Sequence, residues 1–145
     1  MQPIAVVDAS VLVSAFLFPE SVPGRIIKFA GQGQFAMHLS PILLEEVRRS
    51  LLNARLRKAY GHDEDSVVTW CAGLSRIGSV FSGRLPDIGL VCRDPDDDHV
   101  IATAVAVGAS IIVTGDKDLL SLGHVEPIRI LTARAFLSEL DSNAI

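Results

Sequence analysis

The sequence predicts an α/β fold with a mostly parallel sheet, on three observations. Two short β-branched runs, 4–7 and 110–114, lead into acids, Asp8 in one case and Gly115-Asp116 in the other, and read as buried strands. Helical patterns fill the chain between them, at 11–17, 24–30, 41–52, 64–80 and 95–107, and alternation of this kind marks α/β folds. Three of these helices open on a capping side chain near a proline: Ser21 with Pro23, Ser40 with Pro41 and Asp94 with Pro95.

Taken in order, strand 4–7 feeds the helix at 11–17, and the next helix starts behind Ser21. Residues 35–39 read as a second strand running into the Ser40 cap. Gly61, His62 and three acids at 63–65 interrupt the apolar pattern; this reads as a connection between helices, not a domain linker. The helix after it carries Val67, Val68, Cys71, Leu74 and Ile77 at helical spacing, a stripe that core packing explains without a cofactor. Residues 83–89, with Pro86 and two glycines, form a loop before a short stretch at 90–92. A strand at 128–131 leads into a last helix capped by Thr132. There is no internal repeat or low-complexity tract.

The 145 residues suit one domain covering 1–145. Hydrophobic residues make up 49% and charged residues 21%, which excludes disordered and fibrous classes. Thirteen basic residues against seventeen acidic ones leave a net charge of −4, which argues against binding nucleic acid through charge alone. The longest low-polarity run, 100–113, is too short to span a bilayer. The first eighteen residues are apolar but lack a basic leader and are split by Asp8, so the expectation is a cytoplasmic protein without a signal peptide. Cys71 and Cys92 form no CxxC pair, against a disulfide framework or structural zinc.

The chemistry lies in the carboxylates. In an open parallel sheet, sites form beyond the carboxyl ends of the strands, where Asp8 and Asp116 are both placed. Asp97 falls in the first turn of the helix after Pro95, with apolar Val100 and Ile101 three and four residues on, so it lies above the buried face. Glu46 falls mid-helix at the border of the core. Each acid has an ordinary structural role open to it. First-turn acids gain roughly 0.3–1 kcal/mol from the helix dipole, Asp8 can cap a helix, and Asp116 and Asp118 can serve a turn. But Asp94, Asp96, Asp97 and Asp98 are four acids in five positions, and repulsion makes the dipole a poor account of all of them. Several carboxylates gathered near a core need a cation or a proton to neutralise them, and a divalent metal is the simplest compensation. Oxygen-only ligands favour a hard ion, Mg²⁺ or Mn²⁺, and phosphodiester hydrolysis is its natural chemistry.

Together, Asp8-Ala9-Ser10 after the first strand, Glu46 in an early helix, Arg93-Asp94-Pro95-Asp96-Asp97-Asp98 opening a helix, and Thr114-Gly115-Asp116-Lys117-Asp118 after a strand resemble a PIN domain. The resemblance runs from residue 4 to about 138 and is strongest to toxins of the VapC type. It implies a three-layer α/β/α domain and a Mg²⁺- or Mn²⁺-dependent ribonuclease with Asp8, Glu46, Asp97 and Asp116 as metal ligands and Asp118 as a fifth acid at the same mouth. It also implies supporting roles for Ser10 and Thr114, in holding water, phosphate or a carboxylate. A small antitoxin partner and a homodimer belong to the same implication. Glu45 stays open as an alternative to Glu46, and Asp98 as an alternative to Asp97.

His99 reads as a solvated or packing side chain, because a hard-ion site does not call for imidazole. Arg48, Arg49, Arg55, Arg57 and Lys58 are five basic residues within eleven positions. They are either a solvated helical face or a track for RNA phosphates. Two rival readings are weaker. A phospho-acceptor receiver domain wants an acid pair at the first strand, and an aspartate-nucleophile phosphatase wants an acid at Ser10. A nuclease of the same fold acting on DNA or structured nucleic acid also stays open.

Overall fold

Ile4–Val7 forms the first strand, β1, and its Ala5, Val6 and Val7 are fully buried, as a strand covered on both faces requires. A computed structural model describes residues 2–89 and 97–143. After β1 come α1 (Ala9–Leu17), α2 (Val22–Gly31), β2 (Ala36–Leu39), α3 (Pro41–Leu51), α4 (Ala54–Tyr60), α5 (Glu64–Ile77) and β3 (Ser79–Val80). The second half adds α6 (Asp98–Val107), β4 (Ile111–Val113), α7 (Lys117–Leu122), β5 (His124–Val125), β6 (Ile128–Leu131) and α8 (Ala133–Asn143).

The strands form one sheet in the order β3-β2-β1-β4-β6-β5, parallel except for β5 against β6. Ala5 lies opposite Met37 of β2, Val7 opposite Val113 of β4, and Val113 opposite Leu131 of β6. The chain leaves β1 toward β2 on one side and returns to β4 on the other. The order therefore reverses between β1 and β4, and a crevice opens at their carboxyl ends. α6 packs on β1, β2 and β4, while α1 packs against α2 and α3, and α2 against α8. Phe35 and Phe136, both buried, meet edge to face at 4.9 Å. The architecture is the three-layer α/β/α domain expected from the sequence.

Caps account for several helix starts. The Ser21 hydroxyl accepts from the Gly24 amide at 3.3 Å, Ser40 from Leu43 at 3.2 Å, and Thr132 from Ala135 at 3.1 Å, each satisfying an otherwise unpaired first-turn donor. The interruption at 61–65 is a helix connection: Gly61 ends α4 with φ of 75°, and Asp63 caps α5.

Some expectations need correction. The helix expected over 64–80 stops at Ile77. Gly78 leaves it in an extended conformation, and Ser79–Val80 instead pairs with β2. A Cβ on Gly78 would stand 3.0 Å from the Met37 carbonyl oxygen, so the close approach of this strand favours a residue without a side chain. Within α5, Val67 and Leu74 are buried, but Val68 and Ile77 are exposed, so the stripe is narrower than its spacing suggests. The Asp94 cap, the Pro95 start and the stretch at 90–92 lie outside the described residues. Among the described residues, no single helix is long and apolar enough to cross a membrane.

Candidate metal centre

Asp8 follows the last residue of β1 and caps α1, accepting from the Ala9 amide at 2.8 Å through Oδ1. Its Oδ2 accepts from the Thr114 hydroxyl at 2.7 Å. Thr114, fully buried, follows β4, and the same hydroxyl oxygen accepts from the Asp116 amide at 3.0 Å. One side chain thus fastens the acid after β1 to the loop after β4. Ser10 adds a second tie, its Oγ accepting from the Gly115 amide at 3.1 Å.

The loop after Thr114 turns at once into α7, because Asp116 Oδ1 accepts from the Asp118 amide at 2.8 Å. This cap brings Asp116 and Asp118 to one side. Asp97, where α6 begins, meets them there: one carboxylate oxygen from each of Asp97, Asp116 and Asp118 lies within 4.8 Å of the other two. All three residues are half-buried.

Glu46 reaches the same region from α3. Leu43, Val47 and Leu51 form the buried stripe of that helix, so Glu46 sits half-buried at its border. Its Oε1 lies 2.5 Å from His99 Nε2, which ties α3 to the start of α6. Burial pushes the Glu46 carboxyl above its ordinary range; His99 lowers it again, and Asp8 raises it. Asp8 behaves similarly. Burial raises its carboxyl, the Thr114 and Ala9 hydrogen bonds and His99 lower it, and Asp116 raises it. Asp8, Glu46, His99 and Asp116 therefore share one electrostatic neighbourhood.

Of the residues singled out from sequence, Asp97, Asp116 and Asp118 come together as oxygen donors, with Asp8 fastened beside Asp116 and Glu46 facing Asp8 and His99. Glu45 does not join them: it is exposed and held by Arg48 through two hydrogen bonds of 3.1 and 3.0 Å, which lower its carboxyl. Asp98, in the first turn of α6, is half-buried but outside the group of three. Arg48, Arg49, Arg55, Arg57 and Lys58 are exposed along the end of α3 and on α4. Arg48 is neutralised by Glu45, and Arg49 acts on Glu46. His99 is the residue that sequence reasoning undervalued: its side chain is 14% exposed and faces Glu46 and Asp8. Its place directly after Asp97 and Asp98 was the available signal.

The donor set suits a hard divalent cation. It is oxygen only, partly buried, and crowded enough that like charges repel in the absence of a counter-ion. Mg²⁺ and Mn²⁺ meet that description equally well.

The PIN domain family model matches residues 5–118, a span holding every acid in this group. Uncharacterized protein MJ1680 of Methanocaldococcus jannaschii is 34% identical over 118 residues, covering 81% of this chain and 73% of that protein. Among solved structures, VapBC2 from Rickettsia felis, bound to a DNA fragment from their promoter, superposes with a TM-score of 0.59 at 14% identity over 89% of this chain and 98% of that one. PAE2754 from Pyrobaculum aerophilum superposes with a TM-score of 0.56 at 15% identity over 97% and 90%. These two share its fold, and the family match over residues 5–118 establishes that the chain belongs to the PIN domain family.

Proposed function

We propose that the protein is a Mg²⁺- or Mn²⁺-dependent endoribonuclease, hydrolysing phosphodiester bonds in single-stranded or loop RNA to leave a 5′-phosphate and a 3′-hydroxyl. The observation that carries this reading is the convergence of Asp97, Asp116 and Asp118 within 4.8 Å at the mouth where Asp8 is fastened by Thr114. Asp8, Glu46, Asp97 and Asp116 are assigned as ligands, with Asp118 as a further donor. A bound divalent ion supplies a water of lowered pKa and neutralises charge growing on the phosphodiester.

The chain's own groups do the rest. Thr114 holds the Asp8 carboxylate in place and the Asp116 backbone with it. Ser10 keeps the Gly115 turn against α1. His99 steadies Glu46 from α6. Arg55, Arg57 and Lys58 guide RNA phosphates toward an otherwise negative mouth. Membership of the PIN family leaves the receiver-like alternative without support.

The VapC-type resemblance and the fold shared with VapBC2 support a toxin role with an antitoxin protein as partner; a homodimeric state and a cytoplasmic location belong to the same proposal. The test is cleavage of a mixed RNA pool by wild type, Asp8→Asn and Asp97→Asn, each with and without EDTA. Wild type alone, with metal, should cut. Equal cleavage by all three proteins would mean a contaminating nuclease and remove the assignment, and cutting of DNA alone would move the substrate class.

A further inference from the structure

A second concavity, of about 530 Å³, opens at the carboxyl ends of the same strands and is walled by α1, α2, α7 and the start of α8. Its volume is that of a small-ligand site. It adjoins the acids: Ser10, on its wall, is hydrogen-bonded to Gly115, the residue before Asp116, and Gly115 lines it too.

The lining combines two chemistries. Val22 and Leu120 contribute apolar surface, while Ser10, Ser14 and Thr132 contribute hydroxyls. Ser10 and Ser14 are four residues apart on α1 and share a face. Ser10 and Thr132 each accept from a backbone amide, so each still has its own O–H to donate. Arg134, at the rim, is exposed and has no ion pair among the described residues. Three hydroxyls over an apolar floor suit the ring and ribose of a nucleoside, and a free guanidinium suits the phosphate beyond it.

We infer that this concavity is the subsite for the nucleoside next to the scissile phosphate, with the hydroxyls reading the ribose 2′-OH and Arg134 holding the following phosphate. The inference rests on the nuclease reading and goes beyond it, because it assigns RNA preference to a surface separate from the metal ligands. A 2′-hydroxyl is what distinguishes RNA from DNA at a given position. Apolar contact with base and sugar is indifferent to it.

The experiment has two arms. In the first, nucleoside 5′-monophosphates and their 2′-deoxy counterparts are titrated into the metal-free protein and followed by amide NMR. The ribonucleotides should shift Gly115, Leu120 and Ala133 more strongly than the deoxy forms, and Ser14→Phe, which fills the concavity, should abolish the shifts. In the second, Arg134→Gln, an exposed change that leaves the core intact, should raise KM for a short single-stranded RNA about tenfold with kcat little changed, as loss of one charged contact implies. Shifts elsewhere on the surface, or wild-type KM in Arg134→Gln, would overturn the subsite. Should wild type cleave no RNA at all, the nuclease reading fails, and the NMR arm decides the concavity by itself.

Discussion

Asp8 is held where its charge is costly. Burial raises its carboxyl above the ordinary 3.8, and Asp116 adds to the effect. In the metal-free protein the folded state therefore binds its proton more tightly than the unfolded chain does. Between 3.8 and the raised folded value, stability falls as pH rises. Asp8→Asn removes that dependence, so in EDTA at neutral pH the variant should melt above wild type while cleaving no RNA. A lower melting temperature for the variant would show that the Asp8 charge is already compensated by the chain. Thr114 is the other residue to test. Thr114→Val keeps the shape but strips the hydrogen bond from Asp8 Oδ2 and from the Asp116 amide, at a cost of about 1–3 kcal/mol in urea unfolding. Cleavage should weaken without vanishing, and Thr114→Ser should recover most of both losses.

At the scale of elements, legibility followed local signals. Strands 4–7 and 128–131 match β1 and β6 end for end, because their apolar runs are bounded by clear punctuation. The caps at Ser21, Ser40 and Thr132 are where side-chain chemistry placed them. What escaped had no local signature. α4 buries no residue, so periodicity had nothing to detect, and its sequence reads only as charge. α7 has six residues and β3 and β5 two each, lengths at which tertiary pairing decides. The same contrast holds in the site. Asp8 and Asp116 were legible as strand-end acids. Glu45 and Glu46 were not separable, since neighbours on a helix differ by only about 100° of rotation, and it took Arg48 on the outer face to show which one points away. The His99 contact joins α3 to α6; the place of His99 directly after Asp97 and Asp98 hinted at the site, but nothing in either segment named Glu46 as its partner. Because α3 carries Glu46, its anchoring is testable: Ser40→Ala removes a buried cap and should cost about 1 kcal/mol in urea unfolding. No change in the midpoint would mean that packing of Leu43, Val47 and Leu51 holds the helix alone.

For the whole molecule, the net charge of −4 and the acidic mouth set the problem of attracting a polyanion. The exposed cations of α4 address it if they track phosphates. Replacing Arg55, Arg57 and Lys58 by glutamine should weaken RNA binding and flatten its dependence on log salt by about 2, given roughly 0.7 per phosphate contact on single strands. An unchanged slope would assign those residues to solvation alone. The topology explains why the acids converge although they lie far apart in the chain. β1 and β4 are adjacent, α6 packs across both, and each delivers its acid at the same edge.

Anomalous diffraction from crystals grown with Mn²⁺ tests that convergence most directly. The expected result is a single strong peak, or a close pair, among the oxygens of Asp97, Asp116 and Asp118 beside Asp8, absent in Asp116→Asn crystals. A map with no density there, under Mn²⁺ concentrations that support RNA cleavage, would contradict the account.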